Sequence, residues 1–390
     1  MIDYESCIPS LVRDIKPSGI RKFFNLVSSR PGAISLTIGE PDFVTPWHIR
    51  VAGIESLEHG KTYYTSNSGL TELREAISAY LVRRFDVHYA AENQIIVTVG
   101  GSEAIDLTFR ALLSPGDEVI IPLPAFVCYE PLTRLAGGTP VTIATQEKNS
   151  FKLTPDELRA AITPRTKLLV LPYPNNPTGA IMTREDLEAL ARVLDGTNIL
   201  ILADEIYAEL TYGRKHCSCA SVPGLAERTI LASGFSKAYA MTGWRLGYLA
   251  APEPIYRQLL KLHQYAVMCA PTTAQFAAIE AMHNGDEDIE TMRAEYNRRR
   301  RYLTSGLRAI GLDCFEPEGA FYVFPNISGF SLTSEEFCER LLNEYNVAIV
   351  PGNAFGDCGE GFARISYAYS VEHISRALDS MEAFVKSLRK

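Results

Sequence analysis

Short apolar runs rich in β-branched residues recur through the middle of this chain, and they limit its fold more than any other feature of the sequence. Stretches with the spacing of amphipathic helices separate them. The runs lie at residues 94–99, 118–122, 167–172, 198–203, 229–233 and 248–251. A strand that is apolar at successive positions is buried on both faces, as in a parallel sheet covered by helices. We therefore predict an α/β fold whose mostly parallel central sheet is flanked by helices.

The two ends of the chain have a different pattern. After about residue 285 a long polar helical stretch leads into short apolar segments, one of them at 347–350, with a helix predicted over 334–344. Helices and strands grouped in this way are typical of an α+β unit. We predict a large domain over residues 46–284 and a smaller α+β domain formed by residues 1–45 and 285–390.

Local signals mark two helix starts. Thr154 precedes Pro155 and is followed at the third position by Glu157, which together form a capping box with proline in the first turn. Thr183 opens a second helix. Both helices are therefore expected to begin directly after their threonine.

The chain has one basic run, four arginines at residues 298–301. Successive residues of a helix point around its whole circumference, so four arginines in a row do not form a single stripe. Glu290 and Glu295 lie close enough in sequence to pair with them. We predict a solvated, ion-paired helix rather than an anion-binding surface.

Composition and charge exclude several classes of protein. The 390 residues include 38 Lys and Arg against 46 Asp and Glu, a formal net charge of −8, whereas nucleic-acid-binding surfaces are basic. The purest apolar run, 199–203, is much shorter than the roughly 18 residues of a membrane-spanning helix. Acids stand near the start of the chain where a signal peptide has bases. We expect a cytoplasmic protein that binds neither nucleic acid nor membrane.

The eight cysteines and seven histidines show no metal-binding spacing. No CxxC pair occurs, Cys217 and Cys219 are the one close pair, and the histidines form neither HxxxH nor HxH. Zinc sites usually space their ligands in those ways. We therefore predict reduced thiols and no metal site.

A glycine pair follows the first predicted strand and precedes a helix predicted over 102–113. Gly100 and Gly101 allow a tight turn, and Ser102 adds a hydroxyl at the helix N-terminus, where free N–H groups and the helix dipole favour anions. This pattern predicts a phosphate site, although a structural turn capped by serine has the same sequence. The loop is not GxGxxG and the chain has no P-loop motif, which counts against Rossmann and P-loop nucleotide sites.

Polar residues follow three further predicted strands. Asn176 lies in the loop 173–179, Asp204 and Glu205 end the most apolar strand, and Lys237 follows the next. Carboxylates at a buried strand end are costly unless a cation or a donor lies nearby. Ligands of open parallel sheets bind at the carboxyl ends of the strands. The sequence therefore predicts a ligand site at this edge of the sheet.

Together these motifs resemble one family, the class I/II aminotransferases, which are pyridoxal-phosphate enzymes of fold type I, the aspartate aminotransferase superfamily. The resemblance depends on PNNPTG at 174–179, DEIY at 204–207 and SGFSKAYAMTGWRLGY at 233–248, in that order. It extends over nearly the whole chain, from residue 38 to residue 367. It implies a large cofactor-binding domain and a smaller domain whose N-terminal arm covers the site.

The resemblance also implies that pyridoxal phosphate is the cofactor and assigns three catalytic residues. Lys237 would form an aldimine with the cofactor and later move the Cα proton of the substrate. Asp204 would pair with the protonated pyridine nitrogen, and Tyr207 would donate to the phenolate oxygen of the ring. The other residues that it places at the cofactor are Gly101, Ser102, Glu103, Phe126, Asn176, Ile206, Ser236 and Arg245.

Substrate-binding residues follow from the same resemblance. Arg364 would bind the α-carboxylate, assisted by the backbone N–H of Gly39, although Gly39 is equally consistent with a simple turn glycine. Phe126 and Asn176 would also face the substrate. Arg21, in the amphipathic segment that resembles the arm, is a hypothesis for contact with an acidic substrate side chain; a surface arginine is the alternative.

The resemblance implies a homodimer with shared active sites. Tyr64 matches the tyrosine that reaches the cofactor phosphate of the neighbouring subunit, although the adjacent Tyr63 could take that place. Each site would then need residues from two chains.

The implied activity is transfer of an amino group from an L-amino acid to a 2-oxo acid by a ping-pong cycle. Donors of the aspartate, aromatic or N-acetyl-diaminopimelate type fit the branch that the chain resembles, and the sequence does not choose among them. Two alternatives stay open: a β-eliminating C–S lyase that uses the same cofactor, and a regulatory module that binds the cofactor without turnover.

Overall fold

A seven-stranded sheet forms the centre of the computed structural model, which describes residues 2–17, 19–20, 30 and 32–389. The strands of the described chain are β1 Ile34–Ser35, β2 Ile95–Thr98, β3 Glu118–Leu123, β4 Thr139–Ala144, β5 Thr166–Leu171, β6 Leu200–Asp204, β7 Thr229–Gly234, β8 Gly247–Ala250, β9 Tyr322–Val323, β10 Val347–Ala348, β11 Val350–Pro351 and β12 Ala363–Ser366. The central sheet has the order β2-β8-β7-β6-β5-β3-β4. The pairs from β4 across to β7 are parallel, and β8 is antiparallel to both its neighbours. The predicted mostly parallel sheet is confirmed.

Helices surround this sheet. They are α1 Tyr4–Cys7, α2 Ser10–Arg13, α3 Trp47–Glu58, α4 Thr71–Phe85, α5 Gly100–Leu112, α6 Tyr129–Leu135, α7 Pro155–Ala161, α8 Arg184–Leu194, α9 Glu253–Ala266, α10 Thr272–Asn284, α11 Asp286–Ala309, α12 Ser334–Tyr345 and α13 Val371–Leu388. Thr154 forms the predicted capping box, and Thr183, which was predicted only to open a helix, forms one as well. The helices α7 and α8 therefore begin where the sequence indicates. None of the helices in these described stretches is long and apolar enough to cross a membrane.

Six of the seven strands of the central sheet are largely buried on both faces, which explains their continuous apolar sequence, whereas the edge strand β4 is partly exposed. In β2, Ile95 and Val97 pack into one core while Ile96 packs into the other. The first core includes residues of α4 and α10, and the second includes residues of α5 and α9. Alternate residues of a strand point to opposite faces, so a sheet between two helical layers needs apolar side chains at every position.

A third core lies in the C-terminal part of the chain. It includes residues of α11, α12 and α13 and of the short strands. These strands form the antiparallel sheet β11-β12-β9 and the parallel pair β1-β10, so the N-terminal part of the chain pairs with the C-terminal part. The α+β character predicted for the two ends agrees with this arrangement.

Two details differ from the sequence prediction. The segment 347–350 divides between β10 and β11, which belong to different sheets. The arginine run on α11 is ion-paired, but it is not solvated throughout, because the Arg299 side chain is 7% exposed. Glu295 pairs with members of the run as expected, whereas Glu290 pairs with Arg84 and Arg293 instead.

Candidate active site

A cavity of about 320 Å³ lies where the loops that follow the central strands meet the C-terminal part of the chain. Its volume is in the range of small-molecule sites. Twelve of the residues that the sequence analysis singled out line it together: Gly39, Gly101, Ser102, Phe126, Asn176, Asp204, Ile206, Tyr207, Ser236, Lys237, Arg245 and Arg364. Nine of them, the residues from Gly101 to Lys237 in that list, stand at or just beyond the carboxyl ends of β2, β3, β5, β6 and β7.

Lys237 is a buried amine in this cavity. Its Nζ donates a hydrogen bond to the backbone carbonyl of Gly39 at 2.6 Å. Burial is the main cause that lowers the pKa of Lys237 to about 8, and Glu40 opposes that shift. A lysine amine with a pKa this close to neutrality is available as a nucleophile and as a proton acceptor.

Asp204 ends β6 and is also buried. Its carboxylate accepts hydrogen bonds from the Tyr129 hydroxyl at 2.6 Å and from the Ile206 N–H at 3.2 Å. Burial raises the pKa of Asp204, while these two donors lower it. A cationic partner would stabilise the charged form of this acid.

Arg364 is a buried cation with one unpartnered nitrogen. Nη1 donates to Asn176 Oδ1 at 3.0 Å and Nη2 donates to the carbonyl of Thr37, but Nε has no hydrogen-bond partner. Its guanidinium lies 4.5 Å from the ring centroid of Tyr322, whose hydroxyl is 2.8 Å from that of Tyr207. A buried guanidinium with a free N–H is suited to bind an anion such as a carboxylate.

A second cationic region forms where α5 begins. Gly100 has a positive φ of 77°, and a Cβ on it would lie 2.9 Å from Nη2 of Arg245. The guanidinium therefore lies against the helix N-terminus, near the hydroxyl groups of Ser102 and Ser236, which line the same cavity. Positive charge and hydroxyl donors at a helix N-terminus are suited to a phosphate group.

Three predicted site residues do not line the cavity or cannot be placed there. Glu103 accepts a hydrogen bond from the Val99 N–H at 2.5 Å and pairs with the buried His263 at 2.8 Å. The side chain of Tyr64 is on the surface of the chain, 78% exposed. Arg21 lies outside the described residues.

The structure adds residues that the sequence analysis did not identify. Tyr129 and Tyr322 line the cavity and contact Asp204 and Tyr207 respectively. Neither residue stands in one of the motifs quoted above. The one signal that could have indicated Tyr129 is its position only three residues after Phe126.

Comparison with known proteins identifies the class of enzyme. Residues 31–381 match the family described as aminotransferase class I and II. A Bacillus subtilis protein named "Probable N-acetyl-LL-diaminopimelate aminotransferase" is 47% identical over 378 residues, 97% of this chain and 95% of that protein. The chain belongs to the class I and II aminotransferases, and like other enzymes of that family it is a pyridoxal-phosphate-dependent aminotransferase.

Solved structures support the same family and fold. The aromatic aminotransferase from Pyrococcus horikoshii superposes with a TM-score of 0.90 at 42% identity, over 95% of this chain and 99% of that one. The aspartate aminotransferase from Thermus thermophilus, solved with maleate, superposes with a TM-score of 0.92 at 39% identity, over 96% and 99% of the two chains. The predictions of the family, fold, cofactor and class of enzyme are confirmed.

The chemistry of the cavity fits pyridoxal phosphate. The cofactor has an aldehyde that reacts with an amine, a pyridine nitrogen that takes a proton and a phosphate dianion. The cavity offers a buried amine at Lys237, a buried acid at Asp204, and Arg245 against a helix N-terminus at Gly100. Each of these groups matches one end of the cofactor.

Proposed function

We propose that this enzyme transfers an amino group from an L-amino acid to a 2-oxo acid by a ping-pong cycle in the cavity around Lys237. One observation carries the proposal: the cavity holds both an amine with a depressed pKa and a buried guanidinium whose Nε is unpartnered. An α-carboxylate is common to both substrates, and Arg364 is the residue that binds it. We propose donors of the aspartate, aromatic or N-acetyl-diaminopimelate type, because these substrates appear in the names of the similar proteins described above.

The residues that would hold the cofactor divide between its two ends. Gly101, Ser102, Ser236 and Arg245 hold the phosphate, and Asp204 holds the protonated ring nitrogen. The remaining residues that we assign to the ring are Phe126, Ile206, Asn176 and Tyr207. When bound, pyridoxal phosphate supplies an electron-withdrawing ring that accepts the electron pair left when the Cα proton is removed.

Lys237 and its neighbours perform the proton transfer. The neutral amine of Lys237 takes the proton from the substrate Cα, and its ammonium form later returns that proton. Asp204 stays ionised beside a cationic ring nitrogen, since opposite charges offset the cost of its burial. Tyr129 keeps the Asp204 carboxylate in place through its 2.6 Å hydrogen bond.

Arg364 orients the substrate through its carboxylate. Asn176 Oδ1 and the Thr37 carbonyl fix the guanidinium, so that binding a carboxylate requires no rearrangement of the side chain. The Asn176 amide accepts from Arg364 through its oxygen, which leaves its NH₂ group as the donor towards the ring. The backbone N–H of Gly39 and the ring of Phe126 complete the substrate side of the cavity.

For Glu103 we propose an indirect role at the cofactor. Its carboxylate accepts from the Val99 N–H and so holds the turn before α5.

The N-terminal arm and the domain division are part of the same proposal. Ile20 lines the active-site cavity, and residues between Leu11 and Gly19 line an adjacent cavity that shares Phe126 and Tyr129 with it. This supports an arm that covers the site. We assign residues 46–284 to the large domain and residues 1–45 and 285–390 to the small one. The contact of Arg21 with an acidic substrate side chain stays a prediction.

We also propose a homodimer in which Tyr64 serves the cofactor phosphate of the partner subunit. Tyr64 is exposed in the single chain, and so are the nearby Tyr63 and Met268. Asn67 donates to the Met268 carbonyl at 2.9 Å, which holds these apolar side chains in one region. Exposed apolar patches of this kind mark protein interfaces.

All eight cysteines are free thiols, which supports a reducing, cytoplasmic location.

A panel of donors and acceptors tests the proposed reaction. Purified enzyme is given aspartate, glutamate, phenylalanine, tyrosine or N-acetyl-LL-diaminopimelate with 2-oxoglutarate or oxaloacetate, and product amino acids are measured. We expect transamination of at least one donor class, its loss in Lys237→Ala, and full activity in Lys261→Ala, which removes an exposed lysine. Faster release of pyruvate and ammonia from cysteine without an oxo acid would instead establish the β-eliminating lyase.

A further inference from the structure

We propose that Asp42 and Arg299 are positioning residues for this enzyme, and that their ion pair holds the segment 37–42 against Lys237 and Arg364. The proposal rests on the function proposed above for those two residues. Neither Asp42 nor Arg299 lines the active-site cavity. They act through the segment 37–42, which ends at Asp42 and contacts the site through its other residues.

The segment 37–42 contacts both cations of the site through its backbone. The carbonyl of Gly39 accepts from Lys237 Nζ at 2.6 Å, and the carbonyl of Thr37 accepts from Arg364 Nη2. The side chain of Glu40 accepts from Thr242 Oγ1 at 2.8 Å, and Thr242 also lines the cavity. A displacement of this segment therefore changes the surroundings of the amine and of the guanidinium together.

Arg299 anchors the far end of the segment to α11. Its Nη1 lies 2.7 and 2.8 Å from the two carboxylate oxygens of Asp42, and its Nε donates to Glu295 at 2.8 Å. The guanidinium also lies 5.2 Å from the ring centroid of Phe43 and 5.7 Å from that of Tyr296. The Arg299 side chain is 7% exposed and the Asp42 side chain is 28% exposed, so the arginine is the shielded member of the pair. Loss of Asp42 therefore leaves a largely buried positive charge poorly compensated.

The neighbouring Arg298 is a matched control for this contact. It stands next to Arg299 on the same helix and pairs with the same Glu295 carboxylate, but its side chain is 62% exposed. Among the contacts between described residues, none joins Arg298 to the segment 37–42. A substitution of Arg298 therefore removes an arginine from the run without releasing the segment.

Release of the segment changes the pKa of Lys237. Besides the Gly39 carbonyl, the charged groups that act on its amine are Glu40 and Asp204, which favour the ammonium form, and Arg364 and Arg245, which disfavour it. Two of the groups that stabilise the ammonium, the Gly39 carbonyl and Glu40, belong to the segment. When the segment moves away, the amine loses these two groups and also part of the burial that is the main cause of its lowered pKa, so the pKa of Lys237 departs from its value of about 8.

The experiment compares Asp42→Asn, Arg299→Lys and the control Arg298→Lys. In the full-length chain freed of cofactor, the rate of reductive methylation of Lys237 is measured against pH by peptide mass spectrometry, with the exposed Lys261 as internal reference. In the holoenzyme, kcat and KM are measured for one amino donor and one oxo acid. Thermal unfolding of each variant is recorded in parallel.

We expect Asp42→Asn and Arg299→Lys to shift the methylation midpoint of Lys237 away from the wild-type value in the same direction, while Arg298→Lys leaves it unchanged. We also expect KM for both substrates to rise roughly tenfold, since small misplacements at a site cost this much or more. If the two variants lower only the unfolding temperature, or if neither folds, the pair is structural and the proposal is wrong. The methylation midpoint is measured without turnover, so it tests the positioning role independently of the reaction. The proposed function has a separate test, because an active Lys237→Ala enzyme would contradict it.

Discussion

Burial changes the acid–base behaviour of two residues of the cavity in opposite directions. It lowers the pKa of the Lys237 amine and raises the pKa of the Asp204 carboxyl group, because a buried site disfavours whichever form is charged. For Lys237 the neutral form is the one that attacks a carbonyl and accepts a proton. For the contact with the ring nitrogen that we propose for Asp204, the charged form is the one required, and the Tyr129 hydrogen bond helps to maintain it.

The first prediction at the residue scale concerns the pH dependence of Lys237. The ammonium form dominates below the folded pKa and the reactive amine dominates above it, so the rate of cofactor attachment to the cofactor-free chain should rise with pH through a midpoint near 8. An ordinary lysine titrates near 10.4. The visible absorbance that appears on mixing with pyridoxal phosphate measures this rate. A midpoint at or above 10 would show that the amine is not buried in solution.

The second residue-scale prediction concerns the charge of Asp204. Asp204→Asn keeps the size of the side chain and an acceptor for Tyr129, but it removes the negative charge. We expect the cofactor still to bind and removal of the Cα proton to slow by roughly 10²- to 10³-fold, the usual loss when one preorganised electrostatic partner is removed. Single-turnover measurements with Cα-deuterated substrate report that step. The control is Asp106→Asn, which changes an acid on α5. An unchanged rate in Asp204→Asn would contradict the role proposed for Asp204.

At the scale of the element, the start of α5 combines a backbone conformation with a charge. Gly100 adopts a positive φ at the point where β2 turns into the helix, and the absence of a Cβ leaves room for the Arg245 guanidinium. Glu103 holds the same turn through the Val99 N–H, and its other carboxylate oxygen pairs with His263. Turn, helix start and guanidinium therefore form one unit.

Substitution of Gly100 by alanine tests that unit. The added methyl group must displace Arg245, so we expect the dissociation constant for pyridoxal phosphate to rise roughly tenfold or more, in addition to a backbone cost of about 1–2 kcal/mol in the free energy of unfolding. Gly60→Ala is the matched control, because Gly60 has a similar φ of 68° and no atom within 4 Å of an added Cβ. It should lose comparable stability and bind the cofactor normally. Equal affinities in the two variants would separate Arg245 from the phosphate.

At the scale of the whole molecule, the exposed position of Tyr64 matters more than its contacts within the chain. If it serves the phosphate of a partner subunit, each active site needs Lys237 from one chain and Tyr64 from the other. A closed two-fold dimer makes this exchange reciprocal, because the same surface is used by both subunits.

A mixed dimer tests the shared site. Lys237→Ala and Tyr64→Ala chains are unfolded together and refolded as a mixture, after Tyr64→Ala alone has been shown to be badly impaired. In each mixed dimer one site carries both substitutions and the other carries neither. Random pairing makes half of the dimers mixed, so the activity should approach roughly a quarter of wild type. If the mixture shows only the average of its parents, Tyr64 acts within its own chain or the assembly differs.

Much of the fold could be predicted from the sequence because its signals are local. The runs that became β2, β3 and β5 to β8 are apolar at successive positions, and both capping boxes use residues within four positions of each other. The edge strand β4 lacks such a run and was not predicted. The motifs around Asn176, Asp204 and Lys237 follow strands directly, so the parallel sheet was enough to predict that they would meet. The family resemblance then named their partners in the cavity.

Other features depend on contacts between distant parts of the chain, and only the tertiary structure decided them. Tyr129 is 75 residues from Asp204, and Tyr322 is 115 residues from Tyr207, so no local pattern joins them. Arg299 looks like its neighbours in sequence, but it is buried because the segment that carries Asp42 crosses its side of α11. Sequence period and capping are fixed by neighbouring residues, whereas burial of a single charge is fixed by whatever packs over it.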